Sequence, residues 1–191
     1  AVITSVTGAQ GAVSGYTASY AVTDENVKPD ENSGVWKSSL SVKDVADSGK
    51  YYWYKVTATN HNTAIGSFQV QITPAALTVQ QVPASFAKTY DGDDQLETDL
   101  SGITIDGAQG SDSIGITNTS GTYEDKKDGS GKKVTIYLTL SGVTEWGNYQ
   151  YDGTPLTSGT ITLERGNGQI KPKPLTVIGG ITATDRVYDG T

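Results

Sequence analysis

A sequence repeat with a spacing of 98 residues constrains this chain more than any other feature. The stretch Gln71-Ile-Thr-Pro-Ala-Ala-Leu-Thr-Val79 returns as Gln169-Ile-Lys-Pro-Lys-Pro-Leu-Thr-Val177. Each copy is followed at the same distance by the tripeptide Tyr-Asp-Gly, first at residues 90–92 and again at residues 188–190. Such a period means that one unit ends and another of its kind begins, so we predict a tandem array.

The composition favours strands joined by turns. The chain has 23 Gly and 11 Tyr among its 191 residues, is rich in Thr, Val and Ser, and shows no helical apolar period. We therefore predict an all-β protein with two domains in tandem, residues 1–73 and 74–172. Residues 173–191 are predicted to be the first strand and turn of a further repeat. Both domains are expected to be Ig-like β-sandwiches, with a β-grasp-like sheet as the alternative for the second.

Composition also excludes several classes of function. Cysteine is absent, which rules out thiol catalysis, disulfides and Cys-ligated metal sites. The net charge of −7 disfavours nucleic acid or anionic lipid as a partner. No apolar run approaches the roughly 20 residues that span a bilayer, so we expect no membrane insertion within this segment. Methionine is absent as well, and we expect the sequence to be a piece of a longer chain.

Alternation of apolar and polar residues places the strands. In the first segment we predict strands at residues 15–22, 34–40, 49–60 and 66–73. Phe68, Val70 and Ile72 share one face of the last of these. In the second segment the clearest strand covers residues 134–140, and Val134, Ile136, Leu138 and Leu140 are predicted to face the core, together with Ile161 and Leu163.

A turn before the third strand resembles the tyrosine corner of immunoglobulin domains. In Asp47-Ser-Gly-Lys-Tyr51-Tyr-Trp53 the corner hydroxyl of Tyr51 would bond back to the backbone. If Tyr51 and Trp53 faced inward, Lys55 would follow them, because strand side chains alternate. We therefore predict the opposite phase, with Tyr52, Tyr54, Val56 and Ala58 buried.

Short motifs in a fixed order identify a family resemblance. They are Leu77-Thr-Val79, Lys88-Thr-Tyr-Asp-Gly92, Leu100-Ser-Gly102, Gly121-Thr-Tyr-Glu-Asp125, Gly129-Ser-Gly-Lys-Lys-Val134, Leu140-Ser-Gly142 and Gly147-Asn-Tyr149. Residues 77–165 resemble the YDG-type repeat of bacterial surface proteins and large filamentous adhesins. Trp53-Tyr-Lys-Val-Thr57, with Asn60-His-Asn62, is similar to the Ig-like or MBG-type repeats that accompany such units. The resemblance implies an extracellular stalk or adhesive module at the bacterial cell surface and no catalytic residues.

The Tyr-Asp-Gly tripeptide is predicted to be a structural turn motif in both copies. Asp91 caps the turn, Gly92 takes a positive φ and Tyr90 packs on the sheet; Tyr188, Asp189 and Gly190 repeat the pattern. A calcium site is the alternative, because Asp91, Asp93 and Asp94 lie within four residues and calcium prefers carboxylate oxygens. We expect no other cofactor.

An internal isopeptide bond is a second kind of site considered for this chain. Lys88 could join Asn148, with Glu145 or Glu97 as the neighbouring acid. The second copy has Arg186 at the position of Lys88, and arginine cannot form this bond. We therefore expect the Lys88 side chain to extend into solvent instead.

The sequence favours a non-enzymatic stalk or spacer of a bacterial cell-surface adhesin. The alternative is that the repeats bind host or matrix glycans or proteins, and a glycan-active enzyme is a third class. Binding to sugars would require an exposed aromatic platform, drawn from Trp36, Trp53, Trp146, Tyr149 and Tyr151. The single histidine, His61, is expected in a solvated loop without a catalytic partner.

Overall fold

The chain is almost entirely β in the computed structural model, which describes residues 3–180, 187, 188 and 190. The all-β prediction is confirmed: these residues form thirteen strands, two short 3-10 turns (Val45–Asp47 and Trp146–Asn148) and no α-helix. In this part of the chain no helix is long and apolar enough to cross a membrane. The strands are β1 Thr7–Gly8, β2 Gly11–Ala12, β3 Thr17–Thr23, β4 Tyr51–Thr57, β5 Ala64–Gln69, β6 Ala75–Gln80, β7 Phe86–Thr89, β8 Thr104–Asp106, β9 Gly115–Tyr123, β10 Gly129–Ser141, β11 Tyr149–Tyr151, β12 Thr154–Pro155 and β13 Thr160–Lys171.

The chain divides into two compact units whose segments alternate along the sequence. Unit 1 comprises residues 1–80, 105–115 and 140–160, and unit 2 comprises residues 81–104, 116–139 and 161–191. Unit 1 thus contains the predicted first domain together with pieces of the predicted second one. The division of the chain into domains at residues 73 and 172 stays a prediction.

The first sheet of unit 1 has the order β3-β4-β5, and both pairings are antiparallel. Tyr52 of β4 stands opposite Phe68 of β5, and their rings stack with centroids 5.8 Å apart. Phe68, Val70 and Ile72 are half-buried, whereas the residues between them are exposed. This alternation follows the sequence pattern, because strand side chains point to opposite faces of the sheet.

The predicted phase of β4 is only partly right. Tyr52 and Val56 are buried as expected, but so is Trp53, which is 7% exposed and whose Nε1 donates to Thr23 Oγ1 at 2.9 Å. Tyr54 is only half-buried. Tyr52 and Trp53 are consecutive and point to opposite faces of the strand, so both faces of β4 are covered at this point.

The tyrosine corner is made by a different tyrosine from the one predicted. The hydroxyl of Tyr52, not that of Tyr51, donates to the backbone oxygen of Asp47 at 2.8 Å. The Asp47 carboxylate in turn accepts from the backbone N–H of Asp44 at 3.3 Å. These bonds close the turn before β4 and follow from the phase that buries Tyr52.

The strand predicted at residues 34–40 is wrong. One isolated bridge, between Tyr20 and Lys37, is the only strand-like pairing described there. Trp36 instead folds back, so that its Nε1 donates to Asp30 O at 2.9 Å, and Lys55 Nζ lies 4.8 Å from the centre of its ring. This cation–π contact stabilises the ammonium group of Lys55, the residue whose burial counted against an inward Tyr51 and Trp53.

The second sheet of unit 1 has the order β12-β11-β6-β8. Strand β11 pairs with β6 in parallel, with Tyr149 opposite Ala75 and Tyr151 opposite Leu77. Leu77 is 3% exposed. A Cβ on Gly107 would come within 2.3 Å of Ala76 O, so glycine is required where the chain after β8 approaches β6.

Unit 2 contains most of a sheet with the order β7-β13-β10-β9. Strand β7 pairs with the end of β13 in parallel, with Phe86 opposite Gly168. The predicted inward residues of the central strands are buried: Val134, Ile136, Leu138, Leu140, Ile161 and Leu163. Phe86, Tyr123 and Ile170 are buried in unit 2 as well.

The start of the predicted further repeat is not a strand in the described residues. Residues 172–180 form no strand, and Leu175 and Ile178 are almost fully exposed. A strand requires hydrogen-bonding partners on a neighbouring strand, and this segment has none among the described residues.

Candidate functional site

The Tyr-Asp-Gly turn of unit 2 holds a buried lysine. Lys88 lies on β7, and its side chain is fully buried. Its Nζ lies 2.8 Å from Asp91 Oδ1 and 2.6 Å from Asp93 Oδ1. The expectation that Lys88 extends into solvent is wrong, because two carboxylates from the following turn compensate its charge at the end of the strand.

Backbone geometry brings both carboxylates to this lysine. Asp91 Oδ1 accepts from the N–H of Asp93 at 3.2 Å, and Asp93 Oδ1 accepts from the N–H of Gln95 at 2.9 Å. Gly92 between them has a φ of 106°, a conformation that side chains other than glycine rarely adopt. Tyr90 is 39% exposed, and its N–H donates to Lys171 O at 2.8 Å.

The titration of this cluster favours the charged state of all three groups. The hydrogen bond from Lys88 is the main cause that lowers the pKa of Asp91 and of Asp93. Burial alone would lower the pKa of Lys88, but the hydrogen bonds and charges of the two carboxylates outweigh it and raise that pKa. The cluster is therefore an ionic network of one ammonium and two carboxylates.

The residues considered for calcium do not converge on a common point. Asp91 and Asp93 face the Lys88 ammonium, whereas Asp94 Oδ1 accepts from Gln95 Nε2 at 3.1 Å. Within the described ranges, no group of three or more His, Asp or Glu side chains is arranged to hold a metal. An ammonium thus occupies the place between carboxylates that a cation would take.

The residues considered for an isopeptide bond have other partners. Lys88 belongs to unit 2 and is held by Asp91 and Asp93. Asn148 belongs to unit 1, where its Nδ2 donates to Asp44 Oδ1 at 2.8 Å. Glu145, the proposed helper, lines a cleft in unit 1.

In the second copy of the tripeptide, Tyr188 is 91% exposed and Gly190 has a φ of 84°. Asp189 and Arg186, the counterpart of Lys88, lie outside the described residues. The sequence nevertheless keeps a basic residue at the same distance before the aspartate. This is the signal that could have identified Lys88 as the partner of Asp91.

A second buried lysine was missed by the sequence reasoning. Lys132 is 7% exposed, and its Nζ lies 2.6 Å from Asp125 Oδ1. The hydrogen bond from Lys132 is the main cause that lowers the pKa of Asp125. Lys132 precedes Val134 by two residues on β10 and therefore shares its inward face, a signal that the alternation already contained.

Three side-chain hydrogen bonds within unit 1 connect the chain up to Pro74 with residues about 70 positions later in the sequence. Asn148 Oδ1 accepts from the N–H of Val45 at 2.7 Å, while its Nδ2 donates to Asp44. Gln150 Nε2 donates to Pro74 O at 3.1 Å. We call these three contacts the Asn148 joint.

A cleft of about 530 Å³ opens beside this joint. Tyr149 forms part of its wall: the hydroxyl donates to Asp112 Oδ2 at 2.6 Å and accepts from the N–H of Gln109 at 3.0 Å. Burial, and secondarily the bond to Asp112, raises the pKa of Tyr149. Lys43 and Glu145 also line the cleft, which has the size of a small-molecule site.

The aromatic residues do not form one exposed platform. Trp53 and Tyr149 are buried, and Trp36, Trp146 and Tyr151 are half-buried. Trp146 packs against Gly159, where an added Cβ would meet the indole ring at 2.8 Å. His61 is exposed, and its Nδ1 lies 2.8 Å from Thr59 O, with no catalytic partner at that contact.

Comparison with known proteins relates part of the chain to a domain family. The family model of the YDG domain matches residues 73–162, which include the Tyr-Asp-Gly turn and the later half of the Asn148 joint. No curated protein and no solved structure is significantly similar to the chain.

Proposed function

From the YDG match over residues 73–162, we propose that this chain is a non-enzymatic stalk or spacer of a bacterial cell-surface adhesin. It acts outside the cell, as one stretch of a tandem array, and holds a binding head at a distance from the surface. The segment before Pro74 serves as an Ig-like or MBG-type β repeat in the same array. The acidic net charge of −7 supports self-repulsion between neighbouring stalks.

The observation that carries this proposal is the Asn148 joint. A freely hinged linker would leave the segments on either side of Pro74 without specific contacts. Here residues 1–80 share one unit with residues 105–115 and 140–160, and side-chain hydrogen bonds connect the two parts. A joint of this kind transmits force and orientation along an array, which is the physical requirement of a stalk.

The carboxylates with shifted pKa values also support a structural role. Asp91, Asp93 and Asp125 have lowered pKa values because of bonds to lysines, and Asp47 and Asp99 because of bonds to backbone N–H groups. A glycan-active enzyme needs one carboxyl with a raised pKa to act as an acid. These five carboxylates are instead held in the ionised form.

The cleft of unit 1 supports the second candidate, in which the repeats themselves bind a host or matrix glycan or protein. Its wall combines the charged residues Lys43, Asp112 and Glu145 with the apolar residues Val45, Ile72 and Val143, a mixture that ligand sites share. This candidate makes the chain's own surface, rather than its length, the functional property.

A display experiment separates the two candidates. The chain is placed between a cell-surface anchor and a head of known ligand, and compared with its deletion and with an unrelated pair of β domains of similar length. A stalk predicts that deletion weakens capture of ligand-coated beads and that the unrelated pair restores it. Capture of host matrix by the headless chain, abolished by Glu145→Lys in the cleft, would reject the stalk in favour of the binding module.

A further inference from the structure

Strands β7 and β13 of unit 2 form a parallel pair that joins remote parts of the chain. The antiparallel pairs β3-β4, β4-β5 and β11-β12 instead join consecutive strands. Parallel partners require a long connection between them, so this pair closes a long stretch of sequence. Strand β13 is also the last strand described, and tension that acts on the chain after Lys171 therefore reaches it directly.

The register of this pair sets how it carries tension. It runs from Phe86 opposite Gly168 to Thr89 opposite Lys171. The chain enters β7 at one end of the pair and leaves β13 at the other end, so tension on these two points pulls the strands past each other along their length. In an antiparallel pair the two points would be neighbours, and tension would separate the strands one hydrogen bond at a time.

Two further hydrogen bonds continue the pair beyond its four paired residues. Asn167 Nδ2 donates to Ala84 O before β7 begins. After β7 ends, the N–H of Tyr90 donates to Lys171 O at 2.8 Å. A sliding movement of β7 along β13 would have to break these bonds together with those of the strands.

Strand β13 is held on its other side as well. It lies between β7 and β10, whereas β7 is at the edge of the described sheet. A Cβ on Gly168 would come within 2.7 Å of Val134 Cγ2, so β13 approaches β10 closely there. Phe86 and Lys88 of β7 are buried, and a sliding β7 would carry both side chains out of their places.

We propose that this pair, residues 86–89 with residues 168–171, is a mechanical clamp that resists tension by loading all its hydrogen bonds at once. The inference rests on the proposed function as a stalk, because a stalk is pulled from both ends. Under such a load the lifetime of the fold depends on the rate at which the clamp breaks, and not on the equilibrium stability of the chain. The clamp thus adds resistance to force as a further function.

The direction of pulling tests the clamp. The chain has no cysteine of its own, so introduced pairs can serve as handles for single-molecule force spectroscopy. Ser85→Cys with Lys173→Cys puts the handles at opposite ends of the clamp, and Thr89→Cys with Lys173→Cys puts them at the same end. All three positions are exposed, and both pairs stretch nearly the same length of chain. At one pulling speed we expect an unfolding force at least about twofold higher for the first pair, because only that geometry loads the hydrogen bonds together.

The hydrogen bond of Asn167 provides an independent test. Asn167→Ala should lower the unfolding force between handles 85 and 173, where the bond to Ala84 O is loaded together with the others. It should not change the force between handles 89 and 173, where the strands begin to separate at the other end. Asn118→Ala is the matched control on the exposed surface of β9 and should change neither force.

Equal unfolding forces for the two handle pairs, or a higher force for the second pair, would overturn the inference. An equal effect of Asn167→Ala in both geometries would overturn it as well. Circular dichroism melts of each variant, with its cysteines blocked, establish that the compared chains are folded. The pulling experiment uses the isolated chain without cells or ligand, so a failure of the clamp remains distinguishable from a failure of the stalk in the display experiment.

Discussion

The carboxamide of Asn148 bonds to Asp44, which precedes it by 104 residues, with 2.8 Å between Nδ2 and Oδ1. Its oxygen accepts from the next backbone N–H, that of Val45. One side chain thus satisfies a carboxylate and a backbone donor at the start of the 3-10 turn before β4. Because the turn and Asn148 belong to one unit, the chain around Pro74 is fixed by contacts rather than by the linker alone.

The two sides of the Lys88 cluster should respond unequally to substitution. Asp91→Ala with Asp93→Ala leaves a buried ammonium without a counter-ion, whereas Lys88→Met leaves two carboxylates that water can reach. We expect the double variant to lower the melting temperature by more than about 5 °C and Lys88→Met to lower it less. Circular dichroism melts measure both; a larger loss for Lys88→Met would contradict the assignment.

Calcium should not stabilise the wild-type chain. The Lys88 ammonium occupies the space between the Asp91 and Asp93 carboxylates, and calcium needs six to eight oxygen ligands. We expect the same melting temperature in EDTA and in millimolar calcium, since a ligand raises it only by binding the folded state. A rise that is lost in the Asp91→Ala, Asp93→Ala variant would instead establish a metal site at this turn.

We expect the lysine–carboxylate contacts to lose their stabilising effect at low pH and at high pH. Asp91, Asp93 and Asp125 have lowered pKa values, so their contribution is present above the unfolded value of about 3.9 and is lost as the pH falls further. Lys88 has a raised pKa, so its contribution is lost as the pH rises above about 10.4.

Melting temperature measured from pH 2 to pH 11 checks both limits. Lys88→Met should weaken the acid dependence, because Asp91 and Asp93 then lose the partner that lowers their pKa values. If the melting temperature falls at low pH as much in Lys88→Met and in Lys132→Met as in the wild type, these ion pairs do not control the acid dependence.

Two adjacent tyrosines provide a matched test of the corner. Tyr52→Phe removes the hydrogen bond to Asp47 O and should destabilise unit 1 by about 1 kcal/mol. Tyr51→Phe removes no such bond to Asp47 and should change the free energy of unfolding little. All three tryptophans lie in unit 1, so urea unfolding followed by tryptophan fluorescence reports this unit. Equal losses for the two variants would contradict the assignment of the corner to Tyr52.

The alternation of apolar and polar residues was enough to predict which side chains of a strand are buried. The alternation of β10 identified Val134, Ile136 and Leu138 as buried, because side-chain direction in a strand depends only on position. The alternation did not predict that β6 pairs with β11 in parallel. These two strands are about 70 residues apart, and which strands become neighbours depends on the packing of the whole sheet.

The candidate sites were harder to predict than the strands. Lys88 was placed in solvent because its two counter-ions come from a turn whose geometry the sequence only suggests. Trp53 was placed on the outer face because the packing that covers both faces of β4 at this point is not a local property. Asn148 was considered as a reactive group, whereas the structure uses its amide as a connector.

The most direct test of the stalk is whether the segments joined by Asn148 tumble together. Backbone ¹⁵N relaxation gives a rotational correlation time for β3–β5 and for β11, which lie on opposite sides of Pro74 in the sequence. We predict equal correlation times in the wild type. Asn148→Ala should lower the stability of unit 1 by about 1–3 kcal/mol, because the N–H of Val45 loses its partner, and the exposed Asn118→Ala should not. A shorter correlation time for β3–β5 in the wild type would show a free hinge at Pro74 and contradict the account.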